Sequence, residues 1–387
     1  MKDGRGLLAP ATLMSDAGGF GHNDELRIHV RRFLEEHPRP TGRQLADAGL
    51  VAPHLPAPWG LGASPVDQLT IDEELRAAGV SRPVNPIGIG WAGPTIVYAG
   101  TREQQERWMP RLLSGEDFWC QLFSEPNAGS DLASLQTRAV RDGDEWIISG
   151  QKVWTSYAHI ARFGILLART SSDGAPQNGI SYFVCPMDLP GIEIRPLIDM
   201  TGDHAFNEVF LNDVRLPADC LIGTVNDGWR LAKVTLGNER VSLSGEGALW
   251  GRGPSANDLV ALARGRSVRP LDRERLTTCW MHGEILRLLR LKTLSAVLAG
   301  REPGPEASVR KALADDHGQE IMELALDLAG PGATDSRVGP FGDRSDAADM
   351  WRHGFLYAQA LTIGGGTSVV QRNIIAERVL GLPKDVR

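Results

Sequence analysis

The sequence lacks a surplus of basic charge, closely spaced cysteines and long apolar runs. Its 387 residues carry 41 Lys and Arg against 48 Asp and Glu, so the electrostatic footprint of a nucleic-acid binder is absent. The four cysteines lie far apart and predict free thiols in a reducing compartment. Neither a signal peptide nor an uninterrupted apolar run of membrane-spanning length is found, so we expect a cytoplasmic protein without membrane insertion.

The hydrophobic pattern changes twice along the chain and predicts an α+β protein. Gly-rich residues 1–20 predict a flexible arm, and helical spacing over 21–118 predicts an N-terminal helical domain. Short apolar or alternating runs predict a middle β domain over 119–225, with strands at 145–149, 163–168, 180–185, 192–196 and 208–211. Helical periodicity over 226–387 then predicts a C-terminal helical bundle.

Three local features refine this division. Thr101 followed by Gln104 predicts a capping box at the start of a helix over 101–113, and Asp142-Gly143 predicts a turn between strands. Residues 251–270 have the composition of a loop. One apolar stripe of the C-terminal domain is expected to be buried, and it consists of Leu286, Leu289, Leu294 and Val297.

Several catalytic signatures fail on their context. Gly88–Gly93 satisfies G-x-G-x-x-G, but it lies inside a helical region with Pro94 after it, which predicts a loop between helices and no dinucleotide site. Ser244 is not in a nucleophile elbow. No His-x-x-x-His pair stands beside an acid, so no metal site is expected.

Two segments carry a more specific signal. Residues 121–131 hold small turn-forming residues whose N–H groups could cradle a phosphate or a ring carbonyl, although Asp131 could also cap a helix over a plain turn. Residues 150–156 place a tryptophan and two hydroxyls at the end of a strand, where they suit the edge of a heterocycle. The alternative is that Trp154 is a core residue.

Together these segments resemble the flavin-dependent acyl-CoA dehydrogenase family, over about residue 45 to the C-terminus. The motifs that match the family pattern are Ser124–Asp131, Asp142–Ser156, Phe206–Phe210, Asp213–Pro217, Gly228-Trp229, Glu239-Arg240, Gly366–Ser368 and Gln371-Arg372. The resemblance implies an N-terminal helical domain, a β-barrel-like middle domain and a C-terminal four-helix bundle. It also implies FAD as cofactor and an acyl-CoA as substrate in lipid metabolism.

The resemblance also assigns roles to single residues. Gln121 through Ser124 would contact the pyrimidine side of the flavin, Trp154 would pack on the ring, and the Ser156 hydroxyl would face N5. Glu125 would be structural. The implied cofactor-binding residues are Gln121, Leu122, Phe123, Ser124, Gly129, Ser130, Trp154, Thr155, Ser156 and Thr367. The implied substrate-binding residues are Ser130, Asn238, Arg240 and Gly366.

The implied reaction is α,β-dehydrogenation, in which a base takes the α-proton and flavin N5 takes the β-hydride. Many family members carry the base before the Gly-Thr near the C-terminus, where this chain has Gly365. A subset of the family, which includes the isovaleryl and long-chain types, keeps it before an arginine on the helix after the β domain. Glu239-Arg240 stands there, so Glu239 is the expected base. A solvated Glu239, with Glu246 as base, is the alternative.

The chain departs from the family pattern where the FAD tail is held. The usual Arg-x-x-Phe-Gly segment is absent, residues 251–255 stand in its place, and Gly330–Ala333 is altered. One possibility, which we favour on the sequence, is that nearby arginines replace the lost contacts in a homodimer or homotetramer; these are Arg252, Arg264, Arg266 and Arg269. The other is that a paralogous subunit supplies the contacts. An electron-transfer flavoprotein or similar acceptor is the expected redox partner. The alternative functions are a same-fold flavin monooxygenase or oxidase, and a non-catalytic subunit.

Overall fold

A computed structural model describes residues 24–242, 249, 253–264, 266–298, 304–330 and 347–384. The chain divides into two compact units. The first runs to Leu197 and resumes over Phe206–Asn238, and the second comprises Ile198–Ala205 and the residues from Glu239 onward. The arm predicted at 1–20 lies outside the described residues, and the three-domain division remains a prediction. Among the described helices, none is long and apolar enough to cross a membrane.

Capping residues fix the helix starts in the first unit. Thr101 accepts a hydrogen bond from the Gln104 N–H and the Gln104 side chain returns one to the Thr101 N–H, which confirms the predicted capping box. Gly115 follows the helix end at φ +76°. The helices of this unit are α1 Asp24–Glu36, α2 Gly42–Asp47, α3 Pro65–Ala77, α4 Gly93–Ala99 and α5 Arg102–Leu113. Helix α6, Gly228–Ser242, begins in this unit and passes into the second at Glu239.

The G-x-G-x-x-G segment is helical, so the predicted loop is wrong. Gly88–Ala92 forms a π-helical turn that continues directly into α4. A Cβ at Gly88 would lie 2.3 Å from Asn85 Nδ2, so the glycine admits the Asn85 side chain. That side chain bonds the carbonyls of Leu112 and Asp117 and the N–H groups of Gly88 and Trp119. The glycine thus serves packing between helices and sheet, and no strand precedes it.

The β region forms one eight-stranded sheet, and all five predicted strand segments lie in it. The strands are β1 Trp119–Leu122, β2 Arg138–Asp142, β3 Glu145–Lys152, β4 Phe163–Arg169, β5 Ile180–Pro186, β6 Ile192–Leu197, β7 Phe206–Pro217 and β8 Leu221–Ile222. Their order is β6-β7-β3-β2-β4-β5-β8, with β1 parallel to β4. Gly143, at φ +58°, makes the predicted turn between β2 and β3. Strands β4 and β5 are apolar and buried along almost their whole length, as expected of strands covered on both faces.

A buried hydroxyl network joins α4, α6 and the sheet within the first unit. Thr235 Oγ1 of α6 lies 2.9 Å from Thr95 Oγ1 of α4 and 3.0 Å from the Tyr182 hydroxyl of β5. All three side chains are fully buried. Buried polar groups are stable only when they are hydrogen-bonded, so this network fixes where α6 crosses the sheet.

The second unit is helical. Its elements are α7 Ala256–Ala263, α8 Pro270–Leu298, α9 Ala307–Ala329, α10 Ala347–Ala358, α11 Ser368–Ile374 and a π-helical turn Ile375–Val379. Its core consists of apolar side chains from these helices, including Leu259, Cys279, Ile321 and Trp351. The mixture of helix and sheet confirms the α+β class.

Two predictions for the second unit are corrected. Residues 251–270 are not all loop, because Ser255 forms a capping box with Asp258 and starts α7. The predicted buried stripe on α8 is wrong where it is described, since Leu286 and Leu289 are only half-buried. Their neighbour Leu288 is 55% exposed. The side chains of Leu294 and Val297 lie outside the described residues.

Candidate active site

The two sequence segments with the strongest signal lie side by side. One follows β1 and the other follows β3. The Val153 N–H donates to the Ser124 carbonyl at 3.0 Å, and Lys152 Nζ donates to the Phe123 carbonyl at 3.0 Å. The structure therefore brings the segment predicted to contact the pyrimidine side of the flavin next to the segment predicted to pack on its ring.

A buried ion pair holds these segments in place. Lys152 Nζ lies 2.8 Å from Glu125 Oε1, and the two side chains are 0% and 7% exposed. The Glu125 carboxylate also accepts hydrogen bonds from the N–H groups of Gln136 at 2.6 Å and Thr137 at 2.9 Å. These contacts agree with the structural role expected for Glu125.

The pKa shifts of the pair follow from its burial. Burial lowers the pKa of Lys152 to about 8, against the opposing effect of Glu125. For Glu125, burial acts to raise the pKa, but the Lys152 ammonium and the hydrogen bonds outweigh it, so the pKa lies below the ordinary value. Both groups are therefore ionised at neutral pH, as a hydrogen-bonded buried pair must be.

The turn after Glu125 projects into solvent. Glu125 and Ala128 exchange backbone hydrogen bonds, and Gly129 and Ser130 beyond them are exposed. Asp131 stands before a short 3₁₀ turn but its side chain makes no capping bond. The segment is therefore a turn, but the cap that was expected at Asp131 is absent, and the polar groups of Gly129 and Ser130 stay accessible.

Trp154 is a surface residue held in an unusual backbone conformation. Its side chain is 61% exposed, which excludes the alternative that it belongs to the core. Its φ is +58°, in the left-handed region that bulky residues avoid. The indole packs edge-on against Phe206, with ring centroids 5.8 Å apart. A flat apolar face is thus presented outward beside Ser156, which is half-buried.

Thr155 and Asn207 form the floor of this surface. They exchange backbone hydrogen bonds, and Asn207 Nδ2 also donates to the Thr155 carbonyl at 3.0 Å. The Thr155 Oγ1 atom is buried and has no hydrogen-bond partner in the described part of the chain. A buried hydroxyl without a partner is costly, so the site fits a polar ligand edge held against Trp154. This geometry suits the flavin expected from the resemblance.

Helix α6 carries the candidate base. Tyr182, which anchors α6 through Thr235, packs edge-on against Phe123 at 6.0 Å between ring centroids. Asn238 Nδ2 is buried and unpartnered among the described residues, so this amide also suits a ligand contact. The backbone of Glu239 and Arg240 lies in α6 as predicted. Their side chains, and all of Glu246, lie outside the described residues.

The C-terminal motif forms a tight turn before α11. Gly365 and Gly366 have φ of +66° and +96°, and a Cβ at Gly366 would lie 2.6 Å from Gln371 Nε2. Thr367 caps α11 by accepting from the Val370 N–H, and Gln371 bonds both glycine carbonyls. The buried Ser368 hydroxyl has no partner within the described ranges. Gly366 and Thr367 lie in the second unit, as do Glu239 and Arg240, and the other described site residues lie in the first.

The arginines expected to replace the missing tail contacts are partly engaged. Arg269 donates to both oxygens of Asp272, and Arg266 Nη1 donates to the Leu328 carbonyl at 3.2 Å. Arg264 is exposed just after α7. Arg252 and Pro331–Ala333 lie outside the described residues.

Lys152 and Asn207 lie within motifs that match the family pattern, but the sequence predicted no role for either residue. One signal was available for Lys152. Strand β3 buries Trp146 and Ile148 on one face, and period two places Lys152 on that same face. A lysine at a core-facing position requires a buried anionic partner.

Comparisons with known proteins agree with this arrangement. Three family models match in succession: the acyl-CoA dehydrogenase N-terminal domain over residues 22–116, the middle domain over 120–214 and the C-terminal domain over 226–380. This order confirms the predicted acyl-CoA dehydrogenase-like fold.

Curated relatives of this chain are also named acyl-CoA dehydrogenases. The chain is 41% identical to acyl-CoA dehydrogenase IpdE1 of Mycobacterium tuberculosis over 91% of this chain and 90% of that protein. It is 46% identical to acyl-CoA dehydrogenase FadE34 of the same organism over 88% of this chain, but it spans only 46% of FadE34.

Two solved structures are also similar. The structure described as "Tcur3481-Tcur3483 steroid ACAD" matches with a TM-score of 0.75 and 29% identity, over 94% of this chain and 98% of that one. A chain of the ChsE4-ChsE5 complex from Mycobacterium tuberculosis matches with a TM-score of 0.75 and 28% identity, over 96% and 100%.

Breaking the buried ion pair between Lys152 and Glu125 should lower the stability of the fold. Glu125→Gln leaves the Lys152 ammonium buried without a counter-charge, so we expect a loss of about 3–5 kcal/mol in the free energy of unfolding at pH 7. The control Glu145→Gln changes an exposed partner of Arg215 and should cost under ~1 kcal/mol. Urea denaturation followed by tryptophan fluorescence measures both, and equal losses would contradict the role of the pair.

The pH dependence supplies a second readout of the same variant. Because the pKa of Glu125 is lower in the folded chain than its ordinary value of 4.5, its contribution is full above pH 4.5 and falls as the carboxylate is protonated. Glu125→Gln should therefore lose less stability than the wild type when the pH is lowered through the acid range.

Proposed function

This chain belongs to the acyl-CoA dehydrogenase family of oxidoreductases that act on acyl-CoA, and we propose that it binds FAD and catalyses α,β-dehydrogenation of an acyl-CoA thioester. The observation that carries the proposal is the joined pair of segments around Lys152 and Glu125, which presents Trp154 and two hydroxyl residues on one surface. A dehydrogenase needs such a surface because the flavin must be held flat beside the substrate.

We propose that the flavin ring lies against Trp154 and that Ser156 donates a hydrogen bond at N5. The exposure of Trp154 and the unpartnered Thr155 hydroxyl support this placement. Gln121 through Ser124, with Gly129 and Ser130, would contact the pyrimidine edge and the phosphates, and Thr367 is a further proposed cofactor contact. When bound, the flavin supplies the acceptor for the hydride that leaves the β-carbon.

We propose Glu239 as the base that takes the α-proton, with Asn238, Arg240, Ser130 and Gly366 contacting the acyl-CoA. Position 239 follows Thr235 by four residues in α6, and residues four apart lie on one face of a helix. Thr235 is fixed beside Tyr182 under the proposed flavin site. The glycine at 365 leaves the alternative position for the base without a carboxylate.

Anaerobic bleaching of the flavin by acyl-CoA tests the function. The panel includes straight-chain, branched, cyclohexane-carbonyl and steroid-side-chain thioesters, the last because a neighbour is described as a steroid enzyme. We expect at least one thioester to reduce the wild-type flavin. Glu239→Gln should keep FAD and reduce it at least ~10²–10⁴-fold more slowly, the usual contribution of a general base.

The matched variant for this experiment is Glu246→Gln. Near-normal reduction by Glu239→Gln together with loss in Glu246→Gln would transfer the role to Glu246. A chain that binds FAD but is bleached by no thioester would contradict dehydrogenation and favour a same-fold oxidase or monooxygenase. A chain that binds no FAD, alone or with a partner subunit, would favour a non-catalytic subunit.

The flavin placement has its own test. Ser156→Ala removes the proposed donor at N5, and a hydrogen bond to developing charge is worth about 1.5–3 kcal/mol, so flavin reduction should slow by roughly 10- to 150-fold. Trp154→Ala should lower FAD content and shift the flavin absorption band. Ser149→Ala, which removes an exposed hydroxyl bonded to Asp213, is the control and should change neither. Unchanged spectra and rates in both site variants would contradict the placement.

We propose that an unlike acyl-CoA dehydrogenase-type subunit completes the FAD site. Arg266 and Arg269, which would have supported a homo-oligomer, form hydrogen bonds within the chain instead. FadE34 is about twice the length of this chain, and two structural neighbours are named for pairs of proteins. Electrons would then pass to an electron-transfer flavoprotein or similar acceptor.

Mass and FAD content of the purified chain test the assembly. We expect the chain alone to hold well under one FAD per protomer, and co-expression with a paralogous subunit to restore it, because Arg266 and Arg269 bond within the chain and a partner's cationic groups would complete the contacts to the phosphates. Light scattering with flavin absorbance measures both quantities. A homodimer or homotetramer with one FAD per chain would contradict the unlike partner.

A further inference from the structure

Three side chains with metal-binding atoms meet between α8 and α9 in the second unit. They are His282 of α8 and His317 and Glu320 of α9, and one ligand atom from each lies within 4.8 Å of the others. The two α9 residues are three positions apart, so they project from the same face of that helix. Paired ligands at this spacing, opposed by a ligand from a facing helix, are a recurring way to build metal sites in helical bundles.

The distances suit a small divalent ion. His282 Nδ1 lies 3.2 Å from Glu320 Oε2. Two ligands at about 2.0–2.1 Å from a tetrahedral Zn²⁺ are separated by about 3.3 Å, so this edge of the site already has the spacing that coordination requires. The third ligand needs a shift of about 1–1.5 Å or less, which one side-chain rotation supplies.

Hydrophobic packing does not explain why the polar ring of His317 is buried. It is only 5% exposed, and its Nδ1 atom is buried without a hydrogen-bond partner among the described residues. A buried ring nitrogen without a partner is costly, and the same ring contributes one nitrogen atom to the cluster with His282 and Glu320.

The surroundings allow an ion to reach the site. The side chains of His282 and Glu320 are 31% and 48% exposed, so a hydrated ion meets them without any opening of the bundle. The exposed face of α9 also carries Asp316 and Glu323, and these two acidic side chains attract cations.

We propose that His282, His317 and Glu320 form a binding site for a divalent transition metal, of which Zn²⁺ fits best, that clamps α8 to α9. Two imidazoles and one carboxylate are a donor set that zinc accepts, and water fills the fourth position. The site is independent of the proposed dehydrogenation. Its role is structural, because binding to the folded chain alone raises stability by mass action.

Zinc binding by the chelator-stripped full chain tests the proposal. We expect one Zn²⁺ per chain by equilibrium dialysis and elemental analysis, and Co²⁺ should give the intense visible bands of a tetrahedral site. His282→Gln and Glu320→Gln alter partly exposed residues and should keep the fold, yet each should weaken Zn²⁺ binding at least tenfold. Saturating Zn²⁺ should raise the Tm of the wild type and leave these variants unchanged.

The controls separate this site from adventitious binding. His29→Gln removes an exposed histidine from α1, and Glu284→Gln removes an acid on α8 that pairs with Arg287, so both should bind Zn²⁺ as the wild type does. His317→Gln should also abolish binding, and circular dichroism checks its fold. Absence of saturable binding in the wild type, or equal affinity in all variants, would overturn the proposal.

Discussion

The buried ion pair between Lys152 and Glu125 holds together two segments that are 27 residues apart in the chain. Burying an unpaired ammonium would cost too much free energy. Lys152 can therefore end strand β3 in the interior, at 0% exposure, only because the Glu125 carboxylate pairs with it. In doing so Glu125 also satisfies two backbone N–H groups and fixes the turn that follows. The positions of Trp154 and Ser124, on which the proposed flavin site depends, follow from this one interaction.

The same anchoring explains why Trp154 tolerates a left-handed backbone. A bulky residue at positive φ costs of the order of 1–3 kcal/mol and persists only where its surroundings fix it. Lys152 fixes the chain on one side, and the reciprocal pairing of Thr155 with Asn207 fixes it on the other. The strained backbone turns the indole outward, where it packs against Phe206 but stays mostly exposed. Such an arrangement is typical of a residue whose partner is a ligand.

The spacing of residues along the sequence does not reveal the cluster of His282, His317 and Glu320. No histidine pair at metal-binding spacing beside an acid occurs along the chain, and the sequence therefore predicted no metal site. The structure joins His282 to His317 across two helices that are packed together by their apolar faces. The spacing of ligands along one helix is visible in sequence, but the approach of two helices is decided by their packing.

The sequence by itself determined the secondary structure and the family. The capping box at Thr101, the Gly143 turn and the five strand segments were readable because each depends on neighbouring residues, and the motifs around Ser124 and Trp154 indicated the family. It misjudged the π-helical turn at Gly88 and the helix after Ser255, where glycine and proline suggested loops. Only the tertiary structure decided that Trp154 is exposed, that Lys152 pairs with Glu125 and that His317 faces His282. Those facts depend on contacts between distant residues, and such contacts exist only after the elements have packed.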